Sequence, residues 1–315
     1  MDKGQERNSR PATSESVREV TPVGTMALIV NPVAGRGLVR NREAGIVDAL
    51  KAAGFEFSIF HTQAEGHAVE LARDAAREGF DTIVAVGGDG TVHEIATGMW
   101  ESDATLGVIP CGSGNDFAGS QGIPEDLDGA ISVLTDGAVG RTDVGLFGER
   151  CFFNTIGMGF GAAVSVYSRR HKRLRGYLLY LVTVIQSLFM YRSIRMTVEI
   201  DGFRRDDLTF MLTVGIGNRE GGGFKVVPGA VTDDGIFEIC IIHDVSIPLA
   251  LRMLPKATKG EHTDLSIITM LESPRVRITA EDPILLHADG QLYDTGTTTL
   301  DVSCRPRELK VRLPV

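Results

Sequence analysis

The sequence predicts an α/β plus β fold: a doubly wound α/β domain followed by an antiparallel, β-sandwich-like domain. Three observations predict it. Between residues 25 and 138, short apolar runs end in glycine-bearing turns and are followed by segments with helical spacing. From 139 onward, β-like runs dominate. The chain has 315 residues, 43% hydrophobic and 23% charged, ordinary for a globular enzyme and enough for about two domains of roughly 150 residues.

Residues 1–24 are polar and aperiodic, so a disordered tail is expected. The apolar run Met26–Val30 reads as the first strand. Asn31, Pro32, Val33, Ala34 and Gly35 form the turn after it, and Leu38–Ala53 reads as a helix. Pro32 fixes the chain direction, while Gly35 and Gly37 permit positive φ or close approach. Asn31 could hydrogen-bond a nucleotide. Taken alone, this unit reads more readily as a plain βα connection than as a phosphate loop. It is not a P-loop, because it lacks the terminal Gly-Lys-Ser/Thr. Phe55–Phe60 is a strand by its aromatic and β-branched content, with Thr62 in the loop after it and Glu65–Glu78 helical.

Thr82–Thr97 is the central stretch. Ile83–Val86 suits a buried strand, Gly87, Gly88, Asp89, Gly90 and Thr91 form a turn, and Val92, Ile95 and Ala96 recur at helical spacing. A strand–turn–helix unit aims free backbone N–H groups and the positive helix end at one point, which suits phosphate. Asp89 would repel phosphate by a few kcal/mol at an effective dielectric near ~20. Either a divalent cation reverses that sign, or Asp89 only caps the helix. Leu106–Ile109 is the next strand, and a loop carrying Ser113 and Asp116 follows it. In a parallel sheet the loops at Asn31, Thr62, Gly87 and Ser113 all leave strand C-termini, where ligands bind.

Strands are expected at 139–147, 151–156, 193–201, 208–216, 236–242, 264–271, 275–280, 284–287, 298–303 and 308–313, with one helical insertion at about 160–191. Gly157, Gly159 and Gly161 lack the βαβ context of a dinucleotide fingerprint and are expected to let backbone approach a cleft. The basic cluster Arg169, Arg170, Lys172, Arg173 and Arg175 precedes the apolar run Tyr177–Tyr191. That run is too short to span a bilayer. It suits either an anionic membrane surface or a buried helix with a solvated end. Asp233-Asp234-Gly235 suits a hard cation or a hairpin turn, and Asp289-Gly290 is also a hairpin signal.

Acidic residues outnumber basic ones 41 to 32, for a net charge of -9, which argues against nucleic acid as partner. Cys111, Cys151, Cys240 and Cys304 have no metal or redox spacing, so reduced thiols in a cytoplasmic protein are expected. No signal-peptide core begins the chain.

The segments NPVAG, GGDGTVHEIATG, GSGNDFA, PGAVTDDGIFEI and ADGQ occur in an order that resembles the bacterial diacylglycerol/lipid kinase family, whose catalytic domain is shared with sphingosine and ceramide kinases. The resemblance runs from about Met26 to the C-terminus. It implies a nucleotide-binding domain at 25–138, a lipid-binding domain at 139–315, and ATP in the cleft between them. Asn31–Gly35, Thr62, Gly87–Thr91 and Ser113 would hold ATP, Ser113 standing where the family usually has Thr. Asp234, with the carbonyls of Val231 and Ile236, would ligate Mg²⁺, with Asp89 and Asp116 tied to the same ion. Asp289 falls on the Asp of a family Asp-Gly-Glu motif that bears the catalytic base, but here Gln291 replaces the Glu. An amide accepts no proton at neutral pH, so Asp289 is expected to be the base and Gln291 its hydrogen-bonding support. The implied reaction is transfer of the γ-phosphate of ATP to a lipid hydroxyl, diacylglycerol by family default, by a cytoplasmic protein peripheral at the inner membrane face through Arg169–Tyr191. A homodimer is left open. The rival readings are a kinase of a soluble acceptor such as NAD, and a nucleotide-binding regulator without turnover.

Overall fold

The structure, a computed structural model, describes residues 24–168 and 176–315. The expected tail and the basic cluster Arg169–Arg175 fall outside the described residues. The first domain runs β1 (Met26–Val30), α1 (Ala34–Ala52), β2 (Phe57–His61), α2 (His67–Arg77), β3 (Thr82–Gly87), α3 (Asp89–Met99), β4 (Thr105–Pro110), α4 (Asp116–Ser120) and α5 (Leu127–Asp136). β5 (Ala138–Phe147) and β6 (Arg150–Phe152) lead on to the second, which runs β7 (Thr155–Gly159), α6 (Phe160–Ser168), α7 (Gly176–Met190), β8 (Ile194–Ile200), β9 (Phe203–Gly215), β10 (Phe237–His243), α8 (Ile247–Lys259), β11 (Ile268–Ser273), β12 (Arg275–Ala280), β13 (Leu285–Ala288), β14 (Gln291–Asp294) and β15 (Thr299–Leu313).

Strands β2, β1, β3 and β4 lie side by side and parallel. All five residues of β1 are buried, as expected for a central strand covered on both faces. Alternation assigns the faces. Ala27 and Ile29 pack with Ala68 and Ala72 of α2 and Ile95 of α3. Met26, Leu28 and Val30 pack with Ile46 and Leu50 of α1 and Leu134 of α5. Each such aliphatic side chain contributes about 1.5–3 kcal/mol. In the second domain β7, β9, β8 and β12 pair antiparallel, and β10 joins β9. The last strand links the two parts. β15 pairs antiparallel with β12 and β5, and near its end Val311 pairs with Leu106 of β4.

Several elements depart from the expectations. α5 and β14 are unexpected, and the run at 151–156 is two strands, β6 and β7. The helical insertion is not the only one, because α8 also interrupts the strands. Its signals were present: Pro248 near the start, Leu249, Met253 and Leu254 at helical spacing, and left-handed Gly260 (φ 76°) as the stop. The strand expected at 264–271 begins only at Ile268, after a turn. The runs at 298–303 and 308–313 are one strand, β15, whose register shifts between Arg305 and Leu309.

Two glycines set how closely the turns at the sheet edge approach. A Cβ on Gly112 would lie 2.5 Å from the Cα of Gly88 and 2.8 Å from Asn115 Oδ1. A Cβ on Gly88 would lie 2.8 Å from the Cα of Gly112. The turns after β3 and β4 therefore meet backbone to backbone. Gly112→Ala should lower stability by about 1–3 kcal/mol, the usual cost of overpacking. Urea unfolding measures this, and an unchanged midpoint would show that the contact is not tight.

Candidate active site

Because β1 to β4 are parallel, with Val30 level with both His61 and Val86, and Gly87 level with Pro110, their following loops emerge at one edge. The residues expected to hold a nucleotide lie there. Asn31 donates from Nδ2 to Thr91 Oγ1 at 3.0 Å, and its Oδ1 accepts from Val33 N at 3.2 Å. Thr62 N bonds Val30 O at 2.9 Å. Pro32 and exposed Val33 precede α1, which Ala34 and Gly35 open. Gly35 has φ 57°, and a Cβ there would lie 2.5 Å from Cys111 O. Gly88 precedes α3, so Asp89, Gly90 and Thr91 form its first turn. Asp89 Oδ1 accepts from Phe117 N at 3.1 Å, joining the third turn to the fourth.

A cleft of about 350 Å³ opens beside this edge. Asp89, Gly90, Ser113 and Asp116 line one wall, and Asn154, Glu220, His287 and Asp289 line the other. Asp116 draws the walls together, accepting from Gly222 N at 2.8 Å and Gly223 N at 2.8 Å. Asp289 and Gly290 make a two-residue hairpin with φ 49° and 81°. The hairpin reading was therefore right, and the aspartate has a second task as well. Asp289 Oδ2 accepts from Phe153 N and lies against His93 Nδ1, both at 2.8 Å. Its Oδ1 accepts from Asn154 N at 2.9 Å and Thr155 N at 3.0 Å.

Crowding of these carboxylates shows in their acidity. Burial, with the charge of Asp289, raises the pKa of Asp89 against the amides of Phe117 and Asn115. Burial, then the charge of Asp89, pushes Asp116 up to about 7 against the Gly222 and Gly223 amides. Opposite them, His287 Nε2 meets Glu220 Oε1 at 2.8 Å, and Thr213 Oγ1 donates to Glu220 Oε2 at 3.1 Å. Burial alone would lower His287, but Glu220 and the charges of Asp289 and Asp116 raise it. Gly157 and Gly161 make room for this pair. A Cβ on Gly157 would collide with His287 Nε2, and one on Gly161 would lie 3.1 Å from both His287 Nε2 and Glu220 Oε1.

Two expectations need correction. Asp234 is not among the residues that line the cleft with Asp89 and Asp116. It belongs to a second acidic group, in which burial first and then the charges of Asp234 and Asp233 push Asp143 up to about 6. Asp143, on β5, pulls that turn toward itself, its N–H bonding Thr232 O and its Oδ2 accepting from Gly235 N, both at 2.7 Å. Ile236 presents its N–H to Asp234 Oδ1 at 3.0 Å, and Val231 lies in the same loop. The second correction concerns the base. A carboxylate offers about four lone-pair sites, and those of Asp289 already face four nitrogens. Asp289 is thus poorly placed to receive a proton from an acceptor.

Among the described residues, no three His, Cys, Asp or Glu side chains form a ready metal cage. Mg²⁺ rarely uses one. It binds one or two carboxylates and completes its octahedron with water and substrate phosphates. Asp89 fits that habit, since its Oδ2 faces the cleft wall at Gly114, where a Cβ would lie 2.9 Å away. Sequence reasoning missed His93, Asp143, Glu220 and His287. Asp143 was visible as an acid at a buried position of an apolar strand. The Glu220–His287 pair was not visible, because its members are 67 residues apart.

Residues 25–147 match the diacylglycerol kinase catalytic domain, and residues 154–313 match the YegS C-terminal NAD kinase beta sandwich-like domain. A diacylglycerol kinase of Bacillus subtilis (strain 168) is 31% identical over 270 residues, covering 84% of this chain and 88% of the relative. One of Staphylococcus aureus (strain JH9) is 30% identical over 269 residues, covering 84% and 85%. A solved structure from Bacillus anthracis str. Sterne superposes with a TM-score of 0.79 at 26% identity, covering 93% of this chain and 98% of that one. A second, of a diacylglycerol kinase from the same strain, gives 0.71 at 24% identity, with the same coverage. Two matched domains, in order and over nearly the whole described chain, make this protein a lipid kinase that belongs to the diacylglycerol kinase family.

Proposed function

We propose that the chain transfers the γ-phosphate of ATP, with Mg²⁺, to the free hydroxyl of diacylglycerol, giving phosphatidic acid. The observation that carries the lipid acceptor is the continuity of the polar cleft with an apolar cavity. The two share Gly161 and Val164. Beyond them the cavity is walled by Phe160, Phe210, Met211, Val226, Ile242 and Met253. A molecule with a hydroxyl at one end and hydrocarbon at the other fits this sequence of surfaces. At about 70 Å³ the cavity holds only a few methylene groups, so it receives the start of an acyl chain. A soluble acceptor such as NAD has no use for that wall.

The nucleotide would lie along the edge formed by Asn31, Thr62, Gly87–Thr91 and Ser113. Mg²⁺, when bound, offsets phosphate charge beside Asp89. The lipid oxygen forms a bond to the γ-phosphorus as the bond from that phosphorus to the β-bridging oxygen breaks, and ADP leaves. The hydroxyl proton leaves to solvent or to a phosphate oxygen as the new bond forms, while Asp89, whose Oδ2 faces the cleft wall at Gly114, is the carboxylate beside Mg²⁺. Asp116 and Asp289 hold the two walls in register. Such a reaction depends chiefly on positioning and charge stabilisation.

Helix α7 supplies the meeting point with the membrane in this proposal. Thr183, Val184, Ser187 and Leu188 are buried, yet Val182, Ile185 and Phe189, at i, i+3 and i+7, are exposed, as is Met190. Phe189 is 66% exposed. A helix apolar on its solvent side suits a bilayer surface. Val184 and Leu188, on its inner side, line the apolar cavity. Among the described residues no helix is long and apolar enough to cross a membrane.

With ATP, Mg²⁺ and diacylglycerol in phospholipid vesicles, labelled phosphate should enter the organic phase; label confined to the aqueous phase would contradict the lipid acceptor. Asp89→Asn should lower kcat by about 10²-fold or more through loss of charge stabilisation, and unchanged turnover would remove Asp89 from the place beside Mg²⁺. Ile185→Glu with Phe189→Glu should abolish pelleting with anionic vesicles, and equal pelleting would contradict docking through α7. Asp116 and Asp143 bind protons more tightly folded than unfolded, between the ordinary 3.8 and about 7 and about 6. Stability should therefore fall as pH rises through that window. In EDTA the Tm should drop between pH 5 and pH 8, and Mg²⁺ should restore more of it at pH 8. A Tm that rises over that interval, or a Mg²⁺ effect equal at both pH values, would contradict the charge repulsion.

A further inference from the structure

Gln291 stands where the family resemblance leads one to expect a glutamate, and its surroundings explain the exchange. A row of buried and half-buried polar groups crosses from the floor of the cleft to the glycine turn. His93 Nδ1 lies 2.8 Å from Asp289 Oδ2, and His93 Nε2 lies 3.0 Å from the Tyr293 hydroxyl. Tyr293 donates to Gln291 Oε1 at 3.1 Å, and Gln291 Nε2 reaches the Gly90 carbonyl at 3.4 Å. Only 4% of His93 is exposed.

The directions of these bonds depend on one another. A backbone carbonyl only accepts, so the amide nitrogen of Gln291 faces Gly90 and its oxygen faces Tyr293. A tyrosine hydroxyl has one proton. It goes to Gln291 Oε1. Asp289, already taking three backbone amides, stands against His93 Nδ1, and His93 Nε2 stands against the Tyr293 oxygen. The row thus runs from Asp289 through His93, Tyr293 and Gln291 to Gly90. The far end of the row holds the Gly90–Thr91 peptide, one residue beyond Asp89.

We propose that His93, Tyr293 and Gln291 are a positioning chain that anchors the Gly90 carbonyl, and with it Asp89, and that this chain requires glutamine at 291. A glutamate there still accepts from Tyr293 but has no donor for Gly90. Its second oxygen would face a carbonyl oxygen at about the same distance, which is repulsive. Gln291 is therefore a working part of the site, not a disabled base. The effect on turnover rests on the reading of Asp89 given above; the chain itself does not.

The test compares wild type, Gln291→Glu, Tyr293→Phe and the double variant. Gln291→Glu and Tyr293→Phe should each lower kcat by about tenfold or more through misplacement of Asp89, with KM for ATP changed much less. The double variant should lose no more than the worse single one, because both break one chain. A Gln291→Glu enzyme as fast as wild type or faster, or losses that multiply, would overturn the proposal. Urea midpoints of the same four proteins read the chain with no acceptor present, and they should show the same non-additivity. Additive midpoint shifts would also overturn it. Coupled midpoints in a protein that phosphorylates no lipid would keep the chain and remove the proposed reaction. Should Gln291→Glu fail to fold, Tyr293→Phe and Gln291→Met, which removes the donor at similar length, carry the same two readings.

Discussion

The structure depends on how it keeps three carboxylates, Asp89, Asp116 and Asp289, in one narrow cleft. Each is costly to bury unpaired and worse to bury beside another. Backbone amides make this tolerable. Gly222 and Gly223 serve Asp116, residues 153–155 serve Asp289, and Phe117 serves Asp89. These bonds cross from one domain to the other or from one turn to the next. The acidic residues that make the cleft electrostatically demanding also hold its walls together.

That dual use separates structural from chemical roles. A carboxylate saturated by donors is a strut, and Asp289 is the clearest example. Asp89 sits at the first turn of α3 and its Oδ2 faces the cleft wall at Gly114, so the place beside Mg²⁺ is assigned to it in the proposed reaction. The apolar half of the site follows from the second domain. Strands β9 and β10 present one face to α6, α7 and α8, and incomplete packing among them leaves the cavity that opens toward the cleft. A helix buried on one side and apolar on the other then brings the cavity toward the bilayer in the proposed mode of action.

The first domain was largely legible in the sequence. β1 matched residue for residue, and the glycine turns fell at strand ends, because a fully buried strand and a tight turn each have strong local signatures. The second domain was read as strands but not in detail. β15 hid its continuity behind Pro306 and Arg307, whose φ is 54°. α5 and α8 were overlooked although both carried helix signals, Asp126 accepting from Gly129 N as an N-cap in one and the Gly260 stop in the other. At the site, identity was readable and connection was not. Nothing local tells that Asp143 claims the turn bearing Asp234, or that four nitrogens converge on Asp289. Those facts arise from pairings between residues more than 85 positions apart.

The central claim is that a nucleotide polyanion occupies this acidic cleft only in company with a divalent cation. Calorimetric titration of ATP into the protein, once with MgCl₂ and once with EDTA, tests it most directly. The account predicts measurable binding with Mg²⁺ and an affinity at least about tenfold weaker without it, a difference of about 1.4 kcal/mol. The same affinity in both titrations would contradict it.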